Sequence, residues 1–168
     1  MLFRSPVENI GPSVMGGRIV DIAVNPNKPT EFLVAYASGG LFYSNNNGQS
    51  FSPLFDHQES ITIGDIDVDW SHRYIYVGTG ENNSSRSSYA GTGVYISTDW
   101  GKSWTNIGLR DAHHIGTVKV VPSENPCLLV ASMGHLYTPS AERGIFRFED
   151  GKWTQTLFID SLTGVMEI

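Results

Sequence analysis

The densest group of residues suited to polar chemistry lies at 81–89, which contains Glu81, Asn82, Arg86 and Tyr89. A carboxylate, an amide and a guanidinium hydrogen-bond hydroxyl or carboxylate groups, and a tyrosine ring can stack on a sugar. The same side chains also suit a long turn that is merely solvated. The stretch therefore predicts either a ligand-binding loop or an ordinary surface turn.

Further candidates are charged or imidazole side chains elsewhere in the chain: Arg18, His113, His114, His135 and Glu142. Arg18 suits either a carboxylate ligand or a structural salt bridge. Adjacent residues on a strand point to opposite faces, so His113 and His114 are not expected to bind one metal ion together. The sequence predicts no metal site and no cofactor.

A turn motif that occurs twice, about fifty residues apart, indicates how these side chains are positioned. Its members are Ser44, Asn46, Gly48 and Phe51 in the first copy and Ser97, Asp99, Gly101 and Trp104 in the second. Asn or Asp hydrogen-bonds amides across a tight turn, Gly takes the left-handed position, and the aromatic packs the hairpin onto its sheet. An eroded third copy near Asp150 and Gly151 predicts an altered hairpin, with Trp153 less regularly buried.

Short runs rich in Val, Ile, Tyr and Phe alternate with runs of Gly, Pro, Asn and Ser, and no segment shows a sustained helical period. The predicted strands are 19–24, 31–36, 40–43, 50–54, 65–69, 73–78, 93–96, 103–107, 117–121, 127–132, 144–148 and 153–158. Four strands in each repeated unit match the blade of a β-propeller. The predicted fold is all-β, a propeller segment of about three blades plus one strand.

The predicted organisation is a partial propeller over 1–168. The expected units are blades at 17–56, 62–110 and 113–159, the first strand of a fourth blade at 163–168, and an outer strand of the closing blade at 3–11. Exposed edges of this length are an aggregation liability. We therefore expect the rest of the ring to come from a longer polypeptide or from further copies of the chain.

The inner strands carry a charged residue at equivalent positions, namely Asp67, Lys119 and Glu167. This order of charges predicts ion pairs between neighbouring blades. The formal net charge of −6 argues against binding to nucleic acid. The sequence shows neither a signal peptide nor an apolar run long enough to span a membrane, and its one cysteine, Cys127, lies in an apolar strand.

The two turn motifs resemble the Asp-box, or BNR repeat, of sialidases, xyloglucanase-like hydrolases and the sortilin luminal propeller. The whole chain resembles the N-terminal part of large bacterial sortilin-like or glycosyl-hydrolase-like BNR-repeat proteins. The matching stretches are Ile10 to Pro12, Met15 to Ile19, Gly78 to Asn83, His113 to Gly116, and Gly134 to Leu136 through Glu142 to Gly144. The resemblance implies a protein that is secreted, periplasmic or on the bacterial cell surface.

In such propellers, ligands bind on the face opposite the Asp-box turns. That face would gather 81–89, His113, His114 and the third unit's loop, where Tyr137 and Arg143 accompany His135 and Glu142. The resemblance implies binding of a glycan, peptide or partner protein. A pure scaffold role is a further reading.

The alternative is a glycoside hydrolase of xyloglucanase-like type, which would act through paired carboxylates, with the second either inside this chain or outside it. Candidates by position are Glu81, Asp111, Glu142 and Asp160. Sialidase activity is disfavoured because the loop at 37–40, where the resemblance would place the acid, contains no carboxylate.

Overall fold

The computed structural model describes residues 17–83, 88–121 and 127–168, which form three four-stranded antiparallel sheets built from consecutive strands. Sheet 1 contains β1 (Ile19–Val24), β2 (Phe32–Tyr36), β3 (Gly40–Ser44) and β4 (Ser52–Pro53). Sheet 2 contains β5 (Ile63–Asp69), β6 (Tyr74–Thr79), β7 (Val94–Ser97) and β8 (Thr105–Gly108). Sheet 3 contains β9 (Ile115–Val121), β10 (Cys127–Ser132), β11 (Gly144–Glu149) and β12 (Lys152–Leu157). One short 3₁₀ turn, Arg110–Ala112, precedes β9.

The twelve predicted strands are all present, and the largest difference is at β4, which is shorter than the predicted 50–54. β4 pairs with β3 only through Ser52 and Pro53. A further backbone bond, from Leu54 N to Leu41 O at 2.9 Å, lies just beyond this ladder, so Pro53 does not end the contact with β3. Segment 163–168 contains no assigned strand but runs beside β9, where Thr117 Oγ1 donates to Met166 O at 2.8 Å. The fourth inner strand stays a prediction, and 3–11 lie outside the described residues.

The sheets stack side by side, with an apolar layer in each joint. Leu33, Leu41 and Phe55 of sheet 1 and its connection pack with Ile66 and Val77 of sheet 2. A second cluster joins the sheets across the next joint through Val94, Ile115, Val118, Leu128 and Val130. Alternation along each strand brings these side chains to the interface. Meandering four-stranded sheets stacked in this way are consecutive blades of a β-propeller.

The turns β3–β4 and β7–β8 contain the same hydrogen-bond network. In the second turn Asp99 Oδ1 accepts from Ser97 Oγ at 2.9 Å and from Ser103 N at 2.8 Å, and Gly101 N donates to Ser97 Oγ at 2.7 Å. In the first turn Asn46 Oδ1 accepts from Ser44 Oγ and from Ser50 N, and Gly48 N donates to Ser44 Oγ. Gly48 and Gly101 have φ of +78° and +81°, which glycine adopts without strain.

An alanine at position 99 tests how far this network stabilises the fold. Asp99→Ala removes the acceptor for Ser97 Oγ, Ser103 N and Ser103 Oγ. We expect Tm to fall by about 4 °C, since each lost hydrogen bond contributes modestly to stability. Lys102→Ala is the control, because it shortens an exposed side chain of the same turn and leaves the Asp99 bonds in place. An unchanged Tm in thermal unfolding would show that the Asp99 network does not stabilise the turn.

The tryptophans that close the second and third turns also link neighbouring sheets. Trp104 Nε1 donates to Leu54 O at 2.8 Å, and Trp153 Nε1 donates to Ile107 O at 2.6 Å. Both indoles are half-buried, as is Phe51. The expectation that Trp153 is placed less regularly is therefore wrong. The third hairpin is altered as predicted, but its two-residue turn at Asp150 and Gly151 keeps the two positive φ values, which returns the strand in the same direction.

The carboxylates of β5 bind the free edge of β9 rather than charged partners. Asp65 Oδ2 accepts from Val118 N and Asp67 Oδ2 accepts from Val120 N, both at 2.8 Å. β9 is an edge strand of its sheet, so these amides would otherwise lack a partner in a ladder. Asp67 does join two blades as predicted, but its partner is a backbone amide instead of Lys119.

Candidate functional site

The loops that join second to third strands and the connections between sheets lie at one end of the stack, which we call the loop face. The alternating strand direction puts the turns at 45–50 and 98–103 at the opposite end, the turn face. On the loop face, backbone bonds tie neighbouring loops together: Gly80 N to Thr62 O at 3.0 Å, Gly91 N to His113 O at 2.6 Å, and Met133 N to His114 O at 3.0 Å. The loops are therefore joined across both sheet interfaces.

Arg18 and Glu81 form a salt bridge between sheet 1 and the β6–β7 loop. Arg18 Nη2 donates to Glu81 Oε2 at 2.8 Å and to Asn83 Oδ1 at 2.9 Å. Glu81 is only 5% exposed, whereas the Arg18 side chain is 45% exposed. Asn82 Nδ2 donates to Gly64 O at 2.9 Å. Arg18 thus forms a structural salt bridge, one of the two roles considered for it. Arg86 lies outside the described residues.

Three histidines meet where the β6–β7 loop, the β8–β9 connection and the β10–β11 loop come together. His113 stacks on His135 with ring centroids 3.9 Å apart and planes at 24°. His114 is buried, and its Nδ1 lies 2.8 Å from Glu81 O. Burial lowers the pKa of both His113 and His114, which favours their neutral form. Among the described residues, no group of three acidic, His or Cys side chains is placed to hold a metal ion.

The most exposed aromatic rings of the loop face belong to Tyr89, 61% exposed, and Tyr137, 77% exposed. Tyr89 O accepts from Glu81 N at 3.1 Å, which closes the β6–β7 loop. Tyr137 lies in the β10–β11 loop with His135 and Glu142. In this loop Glu142 N donates to Ser140 Oγ at 3.1 Å. Two neighbouring loops thus present a tyrosine to solvent.

The carboxylates named from sequence differ in their surroundings. Glu81 is ion-paired, Asp111 is exposed beside the histidines, and Glu142 is half-buried. Asp160 Oδ1 accepts from the amides of Leu162 and Thr163 at 2.8 and 2.7 Å, which lowers its pKa. A lowered pKa is the opposite of what a general acid requires.

Sequence reasoning did not identify Asp65 as a chemical group of interest. Burial, reinforced by the charge of Asp21, raises the pKa of Asp65 to about 7. Asp21 and Asp65 line a cavity of about 280 Å³ together with Asn82, Lys119 and Glu167. The sequence signal that could have identified it is a strand with aspartate at every second position and apolar residues on its other face. The cavity therefore contains a carboxyl group able to donate a proton near neutral pH.

The raised pKa has a consequence for stability. Because the folded state retains the Asp65 proton that the unfolded state loses, stability decreases as pH rises from about 4 to about 7. Asp65→Asn stays neutral and can still accept from Val118 N. We expect its Tm to exceed that of the wild type by about 4 °C at pH 8 and by less at pH 5. Equal shifts at the two pH values, measured by thermal unfolding, would contradict an ionising Asp65.

Solved structures with the same fold are glycoside hydrolases of family GH74. A GH74 enzyme from Niastella koreensis aligns at 20% identity with a TM-score of 0.59, over 79% of this chain and 20% of that one. An ancestral GH74 enzyme aligns at 19% identity and 0.61, over 85% of this chain and 19% of its own. The GH74 xyloglucanase from Xanthomonas campestris aligns at 16% identity and 0.55, over 86% and 23%.

These similarities confirm the predicted fold, a segment of a β-propeller. The chain spans about a fifth of the length of each of the three enzymes, so it corresponds to part of a larger propeller. No protein-family model and no curated protein matches the sequence. Among the described residues, no helix is long and apolar enough to cross a membrane.

Proposed function

We propose that this propeller segment binds a glycan on its loop face. The observation that carries the proposal is the pair of solvent-exposed rings, Tyr89 and Tyr137, on adjacent loops. Sugars present apolar C–H faces to aromatic rings and hydroxyl groups to polar side chains, so a surface with both suits them. The exposed carboxylate of Asp111, on the same face, would accept hydrogen bonds from sugar hydroxyl groups.

The rigidity of the loop face supports this assignment. The Arg18–Glu81 bridge, the Asn82 bond to Gly64 O and the buried His114 fix residues 81 and 82 of the β6–β7 loop to their neighbours. Less conformational entropy is lost when a ligand binds groups that are already ordered. These polar residues therefore act behind the binding surface, whereas the tyrosines would contact the ligand.

The ligand we propose is a plant β-glucan such as xyloglucan. The support is the shared fold with GH74 enzymes, one of them a xyloglucanase. Hydrolysis is the second candidate function, favoured by the cavity beside Asp65. An inverting or retaining mechanism needs a carboxylic acid with a raised pKa and a second carboxylate. Asp65 would be the acid, and the second group would come from Asp21 or from sequence outside this chain.

Calorimetric titration of the protein with xyloglucan oligosaccharides, combined with mass spectrometry of the products, tests the proposal. We expect saturable binding that cello-oligosaccharides of equal length reproduce more weakly. Binding without new reducing ends supports a binding module, and new ends that disappear in Asp65→Asn support hydrolysis. No heat and no products with any neutral glycan would overturn both candidates.

We also propose that the β3–β4 and β7–β8 turns are Asp-boxes and that the units predicted from sequence are successive blades. A protein that binds a plant polysaccharide works outside the cytoplasm, so we propose that it is secreted, periplasmic or at the cell surface. Fractionation of the producing cells tests this location. Recovery of the protein in the cytoplasm alone would contradict it.

A further inference from the structure

We propose that Arg143 is a positioning residue, one that folds the β10–β11 loop around its guanidinium and so fixes how His135 and Tyr137 are presented. The inference rests on the proposed function for the identity of the ligand. The ordering of the loop itself does not depend on that ligand.

Arg143 is the buried cation of this loop, at 9% exposure. Its Nη1 donates to Met133 O at 2.7 Å, and its Nη2 donates to His135 O and, at 3.4 Å, to Thr138 O. Within the described part of the chain, no carboxylate lies at ion-pair distance from it. A planar guanidinium has donors in several directions and can bind separate carbonyls at once, which an ammonium group reproduces poorly.

The loop is built to enclose this side chain. A Cβ on Gly134, whose φ is +66°, would lie 2.6 Å from Arg143 Cγ, so only glycine leaves room there. From outside the loop, Gln155 Nε2 donates to Ala141 O and Arg143 O, both at 2.9 Å. Ser140 N donates to Ser161 O at 2.9 Å, which fixes the loop to the next connection. The arginine thus occupies the centre of a closed loop.

The carbonyl groups that Arg143 binds lie on both sides of the residues proposed to contact the ligand. His135 O is one acceptor, and the ring of the same residue stacks on His113 at 3.9 Å. Tyr137 lies between the acceptors of His135 and Thr138, so its backbone is held on both sides. An apolar side chain of similar size would leave these three carbonyls without the donor that joins them. It should therefore loosen this loop without unfolding the sheets.

The test compares Arg143→Met and Arg143→Lys with the control Arg147→Met, which removes an exposed arginine paired with Glu149 on the adjoining strand. Hydrogen exchange measures the order of the loop, and titration with a xyloglucan heptasaccharide measures binding. We expect amide exchange across 133–142 to rise at least tenfold in both Arg143 variants and affinity to fall about tenfold. Exchange in β9 and β10, and both readouts in Arg147→Met, should match the wild type.

Each result decides a separate point. Restored order and affinity in Arg143→Lys would overturn the proposal, because charge alone would then suffice. Unchanged exchange across 133–142 in both variants would also overturn it. Should Arg143→Met fail to fold, Arg143→Lys carries the test alone. A wild-type protein that binds no heptasaccharide overturns the proposed function, and exchange then still decides whether Arg143 orders the loop.

Discussion

Replacing Trp104 with alanine is expected to lower the free energy of unfolding by about 3 kcal/mol, because a large side chain is lost from the joint between two blades. The indole packs edge-on against Phe55 with centroids 4.8 Å apart, and its Nε1 donates to Leu54 O at 2.8 Å. Both contacts join sheet 2 to the connection that follows β4 of sheet 1. Urea denaturation followed by circular dichroism measures the change.

Trp104→Phe separates the two contributions. Phenylalanine keeps an aromatic ring against Phe55 but cannot donate to Leu54 O, so we expect a loss of about 1 kcal/mol. Equal losses in the alanine and phenylalanine variants would show that the hydrogen bond carries the effect. A stability unchanged by either substitution would contradict the role of Trp104 between the blades.

Replacing Tyr137 with alanine is expected to weaken xyloglucan binding at least tenfold, which corresponds to about 1.4 kcal/mol. The ring is 77% exposed on the loop face, so its loss removes a surface for a sugar without opening a cavity in the core. Thermal stability should therefore stay close to that of the wild type. Calorimetric titration gives the affinity and thermal unfolding gives Tm.

Tyr74→Ala is the matched control for this substitution. Tyr74 begins β6 at the turn face, where its ring lies 5.7 Å from that of His72. Binding in this variant should equal that of the wild type. Equal loss of affinity in both variants would indicate general disruption, and wild-type affinity in Tyr137→Ala would remove that ring from the ligand surface.

The strands and turns were predictable because local chemistry determines them. The two motifs place Asn46 and Asp99 where their side chains reach amides within the same turn, so neighbours in sequence suffice to define the structure. Dense β-branched and aromatic runs gave the strands for the same reason. β4 differs from its predicted bounds, since only Ser52 and Pro53 pair with β3 in register.

The candidate site was only partly predictable, because it depends on contacts between distant residues. The sequence named Arg18 and Glu81 but left open whether they bind a ligand, and only the folded arrangement brings them to 2.8 Å. The raised pKa of Asp65 depends on burial against the next blade, which no local pattern encodes. The stack of His113 on His135 likewise requires the packing of two blades.

Mapping the surface that xyloglucan oligosaccharides protect from hydrogen exchange shows whether the loop face binds them. We expect protection at 88–91, 113–114 and 133–143, the loops that carry Tyr89, the histidines and Tyr137. We expect no change at 45–50 and 98–103 on the turn face. Protection confined to the turn face, or the absence of protection in any loop at a saturating oligosaccharide concentration, would contradict a glycan-binding loop face.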